Sequence, residues 1–373
     1  MAAETIDPAV RDALARRPDT AWVRGGLALF GWGVAARVEA GSGADRFDRA
    51  LRRLSATAAP MAMASFTFDE NDPGSSIVVP RAMMRIDGDG ARFVIGDESM
   101  VPPPSQPVRL PAGCLARRES AAWEALVGEA LAAIRDNEVD KVVLSRIVTA
   151  GFDASVPAHQ VLSNLVRNEA GSHTYLVDGF LGSSPELLLS LQEAQVRSIS
   201  LAGSADPTAP EADGLFQSEK MTREHSLAAD SVDLALAPFC SHLERSERGV
   251  ATYGDIQHLS TTFEGVTHPG TTFADLLAAM HPTAAVAGTP TKSALELIRE
   301  LESHKRGRYA GPVGWFDRSG EGEFAIALRC GKIDGATVTL YTGAGIVEGS
   351  DPAQEFDETE IKLRPMLGAL GLS

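Results

Sequence analysis

The sequence is poor in cysteine, in positive charge and in long apolar runs. Three of its 373 residues are cysteine, and none of them belongs to a CxxC pair. This argues against a thiolate zinc site and suits a reducing compartment. No run of about 18 apolar residues occurs, so we expect no membrane-spanning helix. Residues 1–20 carry charges throughout and lack the apolar core of a signal peptide, which predicts a cytoplasmic protein.

Basic residues are scarce relative to acidic ones. Lys and Arg total 34 and Asp and Glu total 50, so the net charge is −16. A protein that binds nucleic acid or an anionic membrane generally presents a basic surface. The composition therefore predicts no nucleic-acid partner and no membrane partner. It leaves room for a local basic pocket that binds a small anion.

The pattern of apolar residues predicts an α+β fold. A helix that begins at Ser120 has apolar residues at spacings of three and four, and the last helix is capped by Asp351. Four strands are predicted over 140–146, 174–180, 186–191 and 196–201, a helix over 215–236, and a hairpin over 322–333 and 336–342 with Asp334 and Gly335 as its turn. Groups of strands separated by long helices are typical of large, mostly antiparallel sheets.

The N-terminal part of the chain has a weaker pattern. Residues 1–100 contain short β-like runs separated by Gly and Pro, and no internal repeat is visible. The best candidate for a linker is 100–111, MVPPPSQPVRLP, because proline cannot donate a backbone hydrogen bond. We expect 1–110 to be a β-rich part of a single domain that spans 1–373.

One face of the last helix carries charged side chains. Glu355, Glu358 and Lys362 lie at positions i, i+3 and i+7, which places them on one side of the helix. Two carboxylates one turn apart can hold a hard cation such as Mg²⁺. A solvated surface with an i,i+4 ion pair between Glu358 and Lys362 explains the same pattern. The residues alone leave both interpretations open.

Other charged residues lie in apolar strands or near glycines. Arg329 alternates with alanines, which leaves room for a carboxylate ligand, but an edge strand in solvent would look the same. Lys141 begins an apolar strand, and this position fits either a surface residue or a desolvated general base. Glu186 precedes a run of leucines, and this position fits either a surface residue or a general acid with a raised pKa. Gly343 and Gly345 precede the capped helix, where backbone amides favour anions.

Ten motifs in order carry a resemblance to a known family. They are KVVLSR, SSPELLL, LAGS, SEKMTREH, HLSTTFEG, HPTAAVAGTP, GWFD, FAIALRC, TGAGIV and DETEIK. Together they resemble the chorismate-utilising enzymes, which include isochorismate synthases, salicylate synthases and the large components of anthranilate and aminodeoxychorismate synthases. The resemblance covers residues 115–370. It implies one large α+β domain in which two mostly antiparallel sheets form a sandwich flanked by helices.

The resemblance also implies a chemistry and a catalytic set. These enzymes replace the C4 hydroxyl of chorismate by a nucleophile at C2, with Mg²⁺ on the ring carboxylate. Lys141 stands where the members that use water carry a base, and members that use ammonia carry Gln there. Water is therefore the implied nucleophile, and no glutaminase subunit is needed. Glu186 is the implied general acid, Glu224 and Glu358 are implied ligands of Mg²⁺, and Glu355 is an implied outer ligand.

A substrate pocket is implied in the same way. Its residues are Gly203 and Ser204 of LAGS, His258 of HLST, Ala285 of HPTAAVAG, and the carboxylate-binding Arg329, Gly343 (through its backbone) and Lys362. His258 alone would fit a satisfied buried histidine equally well. Ala285 stands where salicylate and anthranilate synthases carry Thr, and the chain is short for a salicylate synthase.

These two features favour isochorismate synthesis. A salicylate synthase, which goes on to eliminate pyruvate, is the alternative enzyme, and a chorismate-binding protein without turnover is the non-enzymatic alternative. The resemblance leaves siderophore and menaquinone synthesis both open as destinations of the product. No coiled-coil heptad indicates an obligate partner, so we expect a monomer.

Overall fold

A computed structural model of the chain describes residues 6–116, 120–205, 218–254 and 256–372. The predicted first turn of the helix over 215–236 therefore lies in part outside the described residues. The helices are α1 (Pro8–Ala15), α2 (Arg46–Ser55), α3 (Ser120–Arg135), α4 (Ala158–Asn168), α5 (Glu219–Leu236), α6 (Phe273–Met280), α7 (Thr291–Leu301) and α8 (Pro352–Leu370). Within these ranges no helix combines the length and the apolar character that crossing a bilayer requires.

Strands make up most of the remaining described chain. They are β1 (Thr20–Arg24), β2 (Leu27–Trp32), β3 (Ala36–Arg37), β4 (Met61–Ser65), β5 (Ser76–Val79), β6 (Ala82–Asp87), β7 (Gly90–Ile95), β8 (Gly113–Leu115), β9 (Lys141–Phe152), β10 (His173–Val177), β11 (Phe180–Ser184), β12 (Leu187–Gln192), β13 (Gln195–Ala205), β14 (Cys240–Arg245), β15 (Gly249–Tyr253), β16 (Ile256–Thr267), β17 (Gly288–Thr289), β18 (Pro312–Asp317), β19 (Gly322–Ile326), β20 (Cys330–Asp334) and β21 (Thr337–Val347).

The described strands form two sheets. The larger sheet has the order β17-β9-β21-β20-β11-β10-β1-β2-β6-β7, with β8 on β9. The smaller sheet has the order β14-β16-β13-β12-β19-β18-β4-β5-β3, with β15 on β16. Every pairing between described strands is antiparallel. The predicted α+β class with two antiparallel sheets is confirmed.

The main hydrophobic core joins the two sheets. It includes Trp22 and Leu29 of the larger sheet with Met63 and Phe324 of the smaller one, and apolar faces of α2, α3, α5, α6 and α7 close it. A second core lies between the larger sheet and α1, α4 and α8. The first hundred residues thus supply strands to both sheets. The predicted linker, 100–111, runs beside α1 and α4, where the Ser105 amide donates to the carbonyl of Ala15.

Two predicted strands were wrong in their extent. The segment 322–333 is divided between the sheets, with β19 in the smaller one and β20 in the larger one. The chain turns between them at Arg329, whose φ is 47°, in the left-handed region that a continuous strand excludes. The segment 174–180 is likewise a hairpin, β10 and β11. Its two-residue turn is Asp178-Gly179, and both residues have positive φ, as a type I′ turn requires.

The hairpin of β20 and β21 exists, but its turn differs by one residue. Asp334 pairs with Thr337, so the turn residues are Gly335 and Ala336 rather than Asp334 and Gly335. Of the two, only Gly335 has a positive φ, 57°. The strand predicted over 140–146 continues to Phe152, because β21 pairs with it as far as Gly151. The caps of α8 follow the prediction, since the Asp351 carboxylate accepts from the amides of Ala353 and Gln354.

Candidate active site

A cavity lies where α5 and α8 meet both sheets, and the empty space within it and at its solvent-exposed mouth totals about 690 Å³. Nine residues of the predicted site line it: Glu186, Gly203, Ser204, Glu224, His258, Ala285, Arg329, Gly343 and Lys362. Three others are not among the lining residues: Lys141 contacts Glu224, Glu358 contacts Lys362, and Glu355 lies one turn before Glu358 on α8. Residues far apart in the sequence therefore gather at one place.

Lys141 is the first residue of β9 and has no exposed surface. Its Nζ lies 3.4 Å from Oε1 of Glu224 and has no hydrogen-bond partner in the described part of the chain. Gly345 of β21 makes this approach possible, since a Cβ there would lie 2.3 Å from Oε1 of Glu224 and 3.0 Å from Cε of Lys141. The surface interpretation of Lys141 is thereby excluded. The amine lies immediately behind the cavity wall that Glu224 and Gly345 form.

Glu186 is a buried carboxyl group, with 4% of its surface exposed. It follows β11 and precedes β12, and its Oε1 accepts a hydrogen bond of 3.2 Å from the amide of Leu201. Burial raises the pKa of Glu186 to about 7, against the opposing effects of that hydrogen bond and of the positive charges of Lys141 and Lys362. The group is therefore partly protonated near neutral pH, as a general acid must be.

A hydrogen-bonded chain crosses the far side of the cavity. Nη2 of Arg329 lies 3.0 Å from Nε2 of His258, and Nδ1 of His258 lies 3.1 Å from Oγ of Ser204. Burial, then the charge of Arg329, lowers the pKa of His258 well below its usual value, so the ring is neutral and Nε2 accepts from Arg329. Burial also lowers the pKa of Arg329 to about 10, which leaves the guanidinium protonated at neutral pH.

The hydrogen-bonded series from Arg329 through His258 to Ser204 decides the interpretations left open for His258 and for Arg329. His258 is a satisfied buried histidine and at the same time lines the cavity. Arg329 is not on a solvated edge strand, because only 7% of its surface is exposed. Gly203, whose φ is 68°, lies at a bulge in β13 between Ala202 and Ser204. The bulge interrupts the pairing with β16 and sets Ser204 opposite His258.

Lys362 connects α8 with β21. Its Nζ donates to the carbonyl of Gly343 at 3.1 Å and lies 2.6 Å from Oε1 of Glu358. Burial opposes ionisation of Glu358, but the ammonium of Lys362 outweighs it and lowers the pKa of that carboxyl. The predicted i,i+4 pair is therefore present, and its lysine lines the cavity. Lys362 and Arg329 supply the positive charge that the negatively charged chain needs to hold a small anion.

Glu355 lies one turn before Glu358 and is 1% exposed. Burial, and then the neighbouring Glu358 carboxylate, raises the pKa of Glu355 to about 7. Lys220 of α5 donates a hydrogen bond to its Oε1. Each of the three predicted metal-ligating carboxylates thus has a lysine beside it: Glu224 has Lys141, Glu355 has Lys220 and Glu358 has Lys362.

The chemistry of the three carboxylates fits a site for Mg²⁺. They are hard oxygen donors at the facing sides of α5 and α8, which fits the ion. No group of three or more His, Cys, Asp or Glu side chains in the described ranges is gathered as a ready-made metal site. Mg²⁺ usually takes one or two protein carboxylates and completes its shell with water and an anionic substrate. The arrangement is therefore compatible with an ion held by Glu224 and Glu358, with Glu355 beyond them.

Sequence reasoning missed several lining residues. Tyr309 and Arg306 line the cavity, and Tyr309 stacks on Tyr341 with 5.4 Å between ring centroids. Both missed residues lie in the run SHKRGRYAG, whose charges are typical of a solvated loop. The only signal was that an aromatic residue follows the basic run. Arg306 is nevertheless 4% exposed and Tyr309 5% exposed.

The chain is similar in sequence to known proteins. The sequence model described as "Chorismate binding enzyme" matches residues 98–371. The isochorismate synthase MenF of Bacillus subtilis is 36% identical over 261 residues, which are 67% of this chain and 55% of that protein. The isochorismate synthase DhbC of the same organism is 38% identical over 265 residues, 66% of this chain and 67% of that protein. The chain thus spans only a little more than half of the first relative.

Among solved structures, the menaquinone-specific isochorismate synthase MenF of Escherichia coli is similar over nearly the whole chain. It superposes with a TM-score of 0.82 at 25% identity and covers 98% of this chain and 92% of its own. The N-terminal residues that the sequence matches do not reach are therefore included in the structural likeness.

Proposed function

The chain belongs to the chorismate-binding enzyme family, and on that premise we propose that it is an isochorismate synthase, which interconverts chorismate and isochorismate. The observation that carries the proposal is the pairing of a buried carboxyl whose pKa is about 7, Glu186, with the amine of Lys141 at one cavity. Binding alone needs no such acid and base. The relatives that carry this activity in their names support it.

The proposed reaction is an exchange of hydroxyl groups. The amine of Lys141 takes a proton from a water molecule as the oxygen of that water bonds to C2 of chorismate. The ring double bonds shift, the C4–O bond breaks, and Glu186 gives its proton to the departing hydroxyl, which leaves as water. One water enters and one leaves, so substrate and product are isomers. In the reverse direction Glu186 acts as base and Lys141 as acid.

The remaining groups bind and orient the substrate. Arg329 and Lys362 supply positive charge for its carboxylates, and His258 holds Arg329 in place through their hydrogen bond. Mg²⁺ would be held by Glu224 and Glu358, with Glu355 outside them, and would supply charge for the ring carboxylate. Lys220 and Lys362 balance the charges of Glu355 and Glu358. The cytoplasmic location, the monomeric state and the single-domain organisation stay predictions.

A salicylate synthase is the second candidate. It would need the C2 hydrogen to reach the enolpyruvyl methylene as the C–O bond breaks, which demands one side-chain conformation. Ala285 lines the cavity where salicylate synthases carry Thr. The small apolar residue favours hydroxyl exchange without that elimination.

The deciding experiment is chromatography of a chorismate incubation with Mg²⁺ at neutral pH, with a coupled pyruvate assay in parallel. We expect the same mixture of chorismate and isochorismate from either side and little pyruvate. Stoichiometric salicylate and pyruvate would assign the chain as a salicylate synthase, and absence of turnover would leave only a binding function. Isochorismate without enzyme is the control, since it can lose pyruvate by itself.

Glu358→Gln is expected to weaken the binding of Mg²⁺ and of chorismate together. An ion that Glu358 would help to hold, and that would supply charge for the substrate carboxylate, would link the two affinities, and such coupling is reciprocal. Titration of each ligand with and without the other measures it. Asp357→Asn is the matched control, because Asp357 is the preceding residue on α8, is exposed, and loses the same charge. Coupling that survives in Glu358→Gln would return Glu358 to the role of an ion-pair partner for Lys362.

A further inference from the structure

The strand that carries Lys141 is held on one edge partly by a short strand and partly by side chains. β21 pairs with β9 from Lys141 to Gly151. On the other edge β17 pairs only with Lys141 and Val142, and β8 pairs only with the distal end, from Ala150 to Phe152. Val143 and Ser145 lie between these two short pairings. The outward amide of Val143 donates to the carbonyl of Ala287 at 2.9 Å. The carbonyl of Val143 and the amide of Ser145 still need partners, because unpaired buried amides and carbonyls are costly.

Glu302 and Arg306 supply those partners. Oε1 of Glu302 accepts from the amide of Ser145 at 2.8 Å, and Nη2 of Arg306 donates to the carbonyl of Val143 at 2.6 Å. A neighbouring strand would occupy these same positions. The ion pair thus continues the sheet for one more step beyond β17. We call Glu302 and Arg306 the edge clamp.

The edge clamp also reaches the loop that carries Ala285. Nη1 of Arg306 donates to the carbonyl of Val286 at 2.8 Å. The guanidinium is held in a fork by Glu302, with 2.9 Å from Nε to Oε2 and 2.6 Å from Nη2 to Oε1. The ring of Phe68 lies under it, 4.3 Å from Cζ. One rigid group therefore joins β9 to the loop before β17.

Burial of the Glu302–Arg306 ion pair at this sheet edge has a cost in desolvation free energy. The side chains of Glu302 and Arg306 are 2% and 3% exposed. A buried ion pair is commonly no more stabilising than apolar residues of the same volume. The ion pair instead provides precise positioning, because the planar guanidinium of arginine orients several hydrogen-bond acceptors at once. Both backbone segments that it ties contribute to the cavity, through Val143 and through Ala285 and Val286.

We propose that the edge clamp of Glu302 and Arg306 is a positioning element for the reaction, which fixes Lys141 relative to the loop of Ala285. The inference rests on the proposed function. Arg306 acts through Lys141 and the cavity wall, and it takes no proton from the substrate. It should therefore affect turnover more than binding, because displacement of a catalytic group by about 1 Å can cost roughly 10²-fold in rate.

The test is Arg306→Lys, which keeps the charge but cannot reach all three acceptors with one ammonium. We expect kcat to fall by at least ~10-fold, while KM for chorismate and the Kd for Mg²⁺ stay within about twofold. Hydrogen exchange at the amides of 143–147 should become faster. Arg299→Lys is the matched control, because Arg299 lies on α7 and pairs with Asp69 at 2.8 Å at the surface.

Three outcomes would contradict the proposals. Two of them bear on the positioning role of the edge clamp, and the third bears on the proposed function. A kcat equal to that of Arg299→Lys overturns the positioning role. A raised KM with unchanged kcat makes Arg306 a substrate-binding residue instead. If wild type and Arg299→Lys both fail to convert chorismate, the proposed function fails. Should Arg306→Lys not fold, Glu302→Gln, which keeps the shape of the partner, carries the same comparison.

Discussion

Lys141→Gln is expected to lower kcat for isochorismate formation by about 10²–10⁴-fold, the usual cost of deleting a general base. The amine of Lys141 is the proposed proton acceptor for the attacking water, and an amide cannot take that proton. The fold should persist, because Gln is only slightly shorter than Lys and can occupy the same space. That space lies beside Gly345, where the backbone sets its size. Steady-state kinetics with chorismate and Mg²⁺ measure the effect.

Two controls separate the loss of the base from other effects. Lys332→Gln makes the same substitution at an exposed lysine of β20 and should leave kcat unchanged. The Kd of Mg²⁺ must be measured in Lys141→Gln, since the substitution also removes the amine that lies 3.4 Å from Glu224. Turnover near the wild-type rate in Lys141→Gln would show that another group deprotonates the water. Loss of Mg²⁺ binding in step with kcat would reassign Lys141 to charge balance.

Glu186→Gln should have a comparable effect, roughly 10²–10⁴-fold on kcat, because an amide has no proton to give to the departing hydroxyl. The shape of the side chain and the hydrogen bond from the Leu201 amide can both be kept by Gln. Binding of chorismate should therefore change little. Glu296→Gln, at an exposed position of α7, is the control for loss of one carboxylate. Chorismate turnover by Glu186→Gln at the rate of this control would remove Glu186 from the mechanism.

The pH dependence provides a second check on Glu186. In the forward reaction the carboxyl must begin protonated, and burial raises its pKa to about 7. The protonated fraction of the free enzyme is therefore high below that pH and falls about tenfold per unit above it. We expect kcat/KM for chorismate to have a limb that decreases above pH 7. Glu186→Gln should lack this limb, and a limb that remains would belong to another group.

The residues of α8 show what local patterns can predict. Spacing alone placed Glu355, Glu358 and Lys362 on one face, and the structure keeps them there. Spacing could not predict that Lys220 would pair with Glu355, because the partner comes from α5, and such a contact depends on how the two helices pack. The motif resemblance, rather than periodicity, singled out Glu224 among the acids of α5.

Arg329 and Arg306 show why the rest could not be predicted. Alternation treats 322–333 as one strand, whereas the left-handed conformation of Arg329 directs the chain from one sheet to the other. The local sequence does not indicate a turn at Arg329, because the residue with the left-handed conformation is not a glycine. Arg306 looked like part of a solvated charge run. Its burial depends on Glu302, Phe68 and the open edge of β9, which only the tertiary structure brings together.

The pairing of β9 with β21 has a consequence for how the protein is made. β9 ends at Phe152 and β21 begins at Thr337, so most of the smaller sheet is synthesised between them. At ordinary translation rates the strand of Lys141 leaves the ribosome roughly ten to forty seconds before its main partner exists. During that interval its edge is open to incorrect pairing, the usual hazard of non-local β-structure. The proposed acid, Glu186, is also synthesised early, whereas Arg329, Glu358 and Lys362 are synthesised near the end. A nascent chain therefore carries both proposed proton-transfer groups well before the rest of the cavity exists.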